Sequence, residues 1–268
     1  MQTVYFVNAF VMQGAGKSPL SSGNPAAVCI LDAPLEDATM QLIAAQHNLS
    51  ETAFVTPLAD VNRYHIRWFT PSVEVKLCGH ATLASAHVLF ETGVETGNVC
   101  VFESLSGPLT VTRGDGLEMQ LPLCPAAKRL DTTIYTQALG IPLVAATSDG
   151  RQVVLECETE GAVLACKPDF NAVQQLPESL IYLTARAGHC DFVCRVFAPK
   201  FGINEDPVTG SAYCCLVPYW ANKLGKTRLT AEQVSQRGGA LTTQLLDGTV
   251  SLKGEARTII EGRWLQAF

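Results

Sequence analysis

Residues 67–93 read RWFTPSVEVKLCGHATLASAHVLFETG, and residues 195–225 read RVFAPKFGINEDPVTGSAYCCLVPYWANKLG. Each stretch starts on an arginine two places before a phenylalanine and passes through a short acidic loop. Each then turns through small residues into an apolar, helix-like run that closes on a glycine, Gly93 or Gly225. The correspondence runs on: Gly107 matches Gly239 and Gly116 matches Gly248, at the spacing that separates Gly93 from Gly225. The chain therefore reads as one plan used twice. Two half-chains that fold alike can enclose a cleft, and differences between the copies at its walls are where function is expected.

The rest of the sequence fits such a plan. A chain of 268 residues suffices for two domains, and 47% hydrophobic against 16% charged residues marks a folded protein. A net charge of -6 and a pI near 5.4 weigh against nucleic acid or an anionic membrane as partner. An anionic small molecule stays compatible, because backbone N–H groups can oppose the overall charge locally. The opening MQTVYFVNAF has neither the basic segment nor the apolar core of a secretion signal, and no run approaches the roughly 18–20 apolar residues of a membrane span. Ten cysteines in such a chain are expected to be reduced thiols, which points to the cytoplasm. Cys29, Cys100, Cys157, Cys166, Cys194, Cys214 and Cys215 mostly sit in apolar runs and are expected as small buried hydrophobes. Cys78 lies near His80, and His189 beside Cys190, but neither pair belongs to a spaced two-plus-two metal array.

Strand-like runs fall at 3–8, 25–31, 52–55, 64–69, 98–103, 108–112 and 117–121. In the second half they fall at 151–157, 162–166, 180–184, 190–197, 232–236, 240–246 and 249–254, with a last one within 256–267. Met40, Ile43, Ala44 and His47 recur at helical spacing after Pro34, which predicts a helix packed by one face. Helices over about 80–91 and 210–223 are apolar nearly all round, as in a helix enclosed by sheet. The expected class is α/β (α+β), each half wrapping mixed or antiparallel strands around a central helix. The boundaries are 1–121, joined by a returning strand at 256–268, and 126–255. A doubly wound dinucleotide fold is disfavoured, since its glycine fingerprint and regular crossover helices are missing. Lys17 after Gly14 and Gly16 lacks the glycine spacing of a phosphate-binding loop.

Chemistry centres on the two helix openings. Small residues at Gly79, His80, Ala81 and at Gly210, Ser211, Ala212 expose N–H groups that can hold a carboxylate, or can simply form a turn. His80 puts an imidazole at the first opening, where it can act on protons or cap the helix. Asp206, before Pro207, can reach a site or accept within a turn. Glu51 enters the apolar run Ala53, Phe54, Val55, where desolvation would raise a carboxyl toward proton-exchanging range; local capping is the alternative.

Four blocks decide among these readings: GNPAAV at 23–28, NLSETAF at 48–54, RWFTP through LCGHATLA across 67–84, and EDPVTGSA at 205–212. In this order they closely resemble the phenazine-biosynthesis-like (PhzF-like) isomerase family, including its animal members, within the diaminopimelate-epimerase-like superfamily. The resemblance covers nearly the whole chain. It implies two similar α/β halves with a ligand cleft between them, often in a homodimer. It also implies Glu51 as the principal acid/base, His80 and Asp206 as assisting groups, and Gly79, His80, Gly210 and Ser211 as the substrate-binding openings. The implied reaction moves a proton on a small carboxylate-bearing compound, without organic cofactor or metal; in phenazine synthesis the substrate is a dihydro-hydroxyanthranilate. The epimerase branch instead opposes two cysteines. Cys78 stands at the first such position, but the register set by Arg67 and Arg195 puts Asp206 at the second, which argues against two-thiol racemisation. Cys214 and Cys215 fall inside the second helix and are no replacement. A non-enzymatic ligand- or protein-binding homodimeric module that retains the cleft is the alternative.

Overall fold

The computed structural model describes residues 3–12 and 18–265, so the Gly14–Lys17 segment lies outside the described residues. The chain divides into two units, residues 1–120 with 253–268, and residues 121–252. Unit 1 runs through β1 (Thr3–Ala9), β2 (Asn24–Ile30), α1 (Asp37–His47), β3 (Glu51–Pro57), β4 (Arg63–Phe69) and β5 (Glu74–Val75). It continues with α2 (Gly79–Glu91), β6 (Val99–Ser104), β7 (Gly107–Gly114) and β8 (Gly116–Pro122), and the C-terminal strand Ala256–Arg263 returns to pair with β1. Strands β1 and β2 are antiparallel, β2 and β3 parallel, β3 and β4 antiparallel. Strand β4 then takes β5 antiparallel and β6 parallel, and β6 takes β7 antiparallel.

Unit 2 repeats that order. It comprises β9 (Lys128–Arg129), α3 (Thr133–Leu139), β10 (Ala145–Ser148), β11 (Gln152–Glu156), α4 (Glu160–Ala165), α5 (Phe170–Gln174), β12 (Leu180–Arg186) and β13 (Phe192–Ala198). After these come β14 (Ile203–Asp206), α6 (Tyr213–Leu224), β15 (Arg228–Gln233), β16 (Gly239–Leu245) and β17 (Thr249–Gly254). The pairing runs β10 to β11 antiparallel, β11 to β12 parallel and β12 to β13 antiparallel. Strand β13 then takes β14 antiparallel and β15 parallel, and β15 takes β16 antiparallel. The expected α/β repeat is thus present strand for strand.

The sheet of unit 1 is covered on both faces, which explains its nearly unbroken apolar strands. Met40, Ile43 and Ala44 of α1 pack in one cluster with Ala27, Cys29, Phe54 and Phe69. Helix α2 packs against β1, β2, β3 and the C-terminal strand, and all its residues except His87 and Glu91 are buried. In unit 2 the core gathers Tyr135, Leu155, Val163, Leu183 and Phe197 from α3, β11, α4, β12 and β13.

The arginines that opened the sequence comparison do the same work in both units. Arg67 grips Glu74 with two parallel bonds (Nε to Oε1 2.7 Å, Nη2 to Oε2 2.8 Å), and Arg195 grips Glu205 likewise (2.7 and 2.9 Å). The third arm of Arg67 donates to Asp37, and that of Arg195 to the carbonyl of Cys166. Each guanidinium also lies over a phenylalanine ring two residues on, at 5.2 Å for Phe69 and 5.1 Å for Phe197. The loop before each site helix is therefore pinned by a rigid, bidentate fork.

Two expectations need correction. The apolar run 162–166 is not a strand: residues 160–165 form α4, because the Thr159 side chain accepts from the Ala162 N–H and starts a helical turn. The second site helix does not open at residue 210 as an α-helix. A 3-10 turn spans Gly210–Ala212 before α6 begins at Tyr213. Inside α6, Pro218 has no N–H to give the carbonyl of Cys214, which accepts instead from the Cys124 backbone N–H at 3.0 Å.

None of the ten cysteines is in a disulfide; the seven expected to be interior are buried, and so is Cys78. Among the described residues no helix is long and apolar enough to cross a membrane.

Candidate active site

Glu51 is the first residue of β3 and pairs in parallel register with Ala26 of β2. This pairing brings the GNPAAV and NLSETAF blocks side by side. Asn24 opens β2, and its amide meets both neighbours: Ser50 Oγ donates to Asn24 Oδ1 at 3.1 Å, and Asn24 Nδ2 lies 3.2 Å from His80 Nδ1. With the amide so oriented, Nδ1 accepts and the imidazole carries its proton on Nε2. Nε2 in turn lies 3.2 Å from Glu51 Oε2. The Glu51 side chain is 13% exposed and that of His80 5%, so acid and imidazole face each other almost out of water. Burial pushes the His80 pKa down to about 3, which keeps the ring neutral.

His80 reaches this place because it is the second residue of α2. Cys78 caps that helix in extended conformation and makes no side-chain cap bond. The N–H groups of the first turn thus have no intrahelical carbonyl, the general arrangement that suits an anion. Cys78 Sγ lies 3.5 Å from the other ring nitrogen, His80 Nδ1. Glu51, Cys78 and His80 each offer one ligand atom, all within 4.8 Å of one another.

In unit 2, Asp206 ends β14, and its carboxylate accepts from Thr209 Oγ1. The loop that follows is held by a buried amide. Gln233 Nε2 donates to the Asp206 carbonyl at 2.6 Å, and Gln233 Oε1 accepts from the Thr209 N–H at 2.8 Å. Ser235 Oγ donates to the Pro207 carbonyl at 2.8 Å. Gly210 is buried and Ser211 half-buried at the 3-10 turn just beyond. Replacing Gln233 by Leu is expected to cost about 1–2 kcal/mol, since it strands the half-buried Asp206 carbonyl and Thr209 N–H. Urea unfolding reads that loss, and amide exchange should quicken at Thr209 while staying slow at Val196.

Unit 2 also holds a cavity of about 470 Å³ lined in part by Arg129, Tyr219 and Lys223. None of the predicted site residues lines it. A carboxylate facing an imidazole outweighs cavity size as a mark of chemistry, so the site is placed at Glu51 and His80.

His47, in the last turn of α1, is a structural histidine. It bonds Thr52 Oγ1 through Nδ1 at 3.0 Å and packs between Phe6 and Trp264. Burial lowers its pKa to about 4. The fold therefore favours the neutral ring. The stability this gives is complete above the unfolded pKa near 6.5 and is lost as pH falls toward about 4. His47→Gln should flatten the fall in stability over that window by up to about 1.4 kcal/mol per pH unit, read from urea midpoints at several pH values.

A family profile described as phenazine biosynthesis-like protein matches residues 15–262. The chain belongs to the phenazine-biosynthesis-like family. A Pseudomonas aeruginosa protein named as an uncharacterized isomerase is 50% identical over 243 residues, covering 90% of this chain and 92% of that protein. The human phenazine biosynthesis-like domain-containing protein is 38% identical, covering 90% of this chain and 93% of its own. Among solved structures, a PhzF-family protein of Enterococcus faecalis superposes with a TM-score of 0.92 at 39% identity, over 98% of this chain and 99% of that one. The PhzF-family fold is thereby established, and the Glu51–His80 pair lies within the matched span.

Of the residues singled out in the sequence, Glu51, His80 and Gly79 come together in unit 1. Asp206, Gly210 and Ser211 come together on one loop of unit 2. Asn24, Ser50 and Gln233 escaped the sequence reading as supporting groups. Asn24 and Ser50 stood inside quoted motifs; Gln233 had no local signal, because the atoms it bonds are 24 and 27 residues away.

Proposed function

We infer that this protein is an isomerase that moves a proton on a small carboxylate-bearing substrate, with Glu51 as the acid/base. The observation that carries this reading is the Glu51 carboxylate set 3.2 Å from a neutral, buried imidazole. A general base must be ionised yet poorly solvated, with a neighbour that can pass or steady the proton. His80 is placed for that need: Nε2 lies 3.2 Å from the carboxylate and Nδ1 is held by Asn24.

Glu51 takes a proton from the carbon activated by an adjacent unsaturated or carboxylate group, and charge develops on the substrate. The N–H groups that open α2 at Gly79 and His80 stabilise an anion at this stage. Glu51 then returns the proton at another carbon, and the electron pair shifts with it. Asp206 is the second carboxylate assigned by resemblance, with Gly210 and Ser211 as further donors. The test is deuterium incorporation in heavy water, followed by mass spectrometry over a panel of small unsaturated carboxylates that includes dihydro-hydroxyanthranilate. Solvent deuterium at carbon in at least one compound is the expected result. Tight binding without exchange across the panel would favour a receptor-like module.

A further inference from the structure

Cys78 takes no part in the proton transfer described above, yet it is buried beside the two groups that do. We propose that Glu51, Cys78 and His80 form a three-donor site for a soft or borderline divalent cation such as Zn²⁺, which takes the base out of use when it binds. The donor set is one thiol, one imidazole and one carboxylate, a combination suited to zinc and its neighbours and poorly suited to magnesium or calcium.

The spacing also fits. Ordinary Zn–S, Zn–N and Zn–O lengths at tetrahedral angles put S and N about 3.6 Å apart and N and O about 3.3 Å apart. The 3.2 Å from His80 Nε2 to Glu51 Oε2 matches the second of these, whereas Cys78 Sγ lies 3.5 Å from the other ring nitrogen, Nδ1, and has to move to meet the first. One ion can take only one ring nitrogen, and Nε2 is the better donor. It is buried and its approach to Glu51 lacks hydrogen-bond alignment, whereas Nδ1 is occupied by Asn24. One ligand atom from each of the three residues already lies within 4.8 Å of the others, so a swing of the Cys78 side chain from Nδ1 toward Nε2 closes the set.

The protons balance within the site. Cys78 gives its thiol proton to solvent as the metal–sulfur bond forms. His80 moves its proton from Nε2 to Nδ1, and the Asn24 amide turns to accept it through Oδ1, with Ser50 Oγ then accepting from the amide nitrogen. Asn24 and Ser50 so become the groups that fix the ligating ring, as second-layer partners do in metal centres. No two-plus-two spacing marked this set in the sequence, because Glu51 arrives from a different strand.

The experiment titrates the whole protein with Co²⁺ under reducing, oxygen-free conditions and reads the thiolate-to-cobalt charge-transfer band in the near ultraviolet. A band that saturates near one equivalent and bleaches on adding Zn²⁺ is expected. Cys78→Ser should abolish it, Glu51→Gln should weaken Co²⁺ binding by about tenfold or more, and Cys124→Ser should leave it unchanged. X-ray absorption of the cobalt-loaded wild-type protein should show one sulfur with nitrogen or oxygen neighbours, which settles the ligand set even if a variant fails to fold. No band, a band that survives Cys78→Ser, a band lost in Cys124→Ser, undiminished binding in Glu51→Gln, or two or more sulfurs would overturn the proposal. The band needs no turnover, so its outcome is separate from that of the isomerase reading.

Discussion

Glu51→Gln is expected to cut deuterium incorporation into a turned-over carboxylate by about 10²- to 10⁴-fold, the usual weight of a positioned acid/base. The substitution is nearly isosteric. Glu51 ends its side chain 3.2 Å from His80 Nε2, and glutamine can keep that contact through its amide oxygen. The folded state should therefore survive, and far-ultraviolet circular dichroism should not change. The loss should fall on kcat, since the group acts on a proton that moves only in the transition state. Exchange within threefold of wild type would remove Glu51 from its role. An Asp206→Asn variant measured beside it separates the carboxylates: a second large loss would make Asp206 a partner in the chemistry, and no loss would confine the proton work to unit 1.

Gly23→Ala should cost about 3 kcal/mol by urea unfolding. Gly23 has φ +78°, in the left-handed region, and a Cβ there would stand 2.6 Å from the Ala9 carbonyl oxygen and 3.0 Å from Val11 Cγ1. The conformational part costs about 1–2 kcal/mol and crowding against backbone about 1–3 more. Gly93 is the internal control. Its φ of +73° is nearly the same, but nothing lies within 4 Å of its Cβ position. Gly93→Ala should cost only about 1 kcal/mol, the conformational part alone. Equal losses at the two positions would mean that space around Gly23 does not matter. Because Asn24 follows Gly23, a shifted backbone should also loosen the hold on His80, and exchange activity should drop in the surviving folded fraction.

Much of this architecture was legible because its signals are local. Met40, Ile43 and Ala44 announced a one-faced helix, and that face is buried. The small-residue run after Gly79 announced an enclosed helix, and α2 is enclosed. The run at 162–166 misled, since a short apolar stretch fits strand and helix equally, and the deciding hydrogen bond comes from Thr159, outside the run. Resemblance, more than spacing, pointed to Glu51, because a carboxylate at a strand start has many bland roles. The cluster around it could not be read from one dimension. Asn24, Ser50, Cys78 and His80 meet only because β2 and β3 pair in parallel beneath α2.

The two arginine forks carry a consequence for how such a frame can vary the side chains it presents. Eleven residues after Arg67 stands a thiol, and eleven after Arg195 a carboxylate, yet Glu74 and Glu205 are gripped in the same way. The brace does not sense which reactive group follows it. Side chains at this position can therefore be exchanged like tools in a fixed handle: a thiol and a carboxylate stand at the same sequence distance from equivalent braces, and the frame that carries them is unaltered.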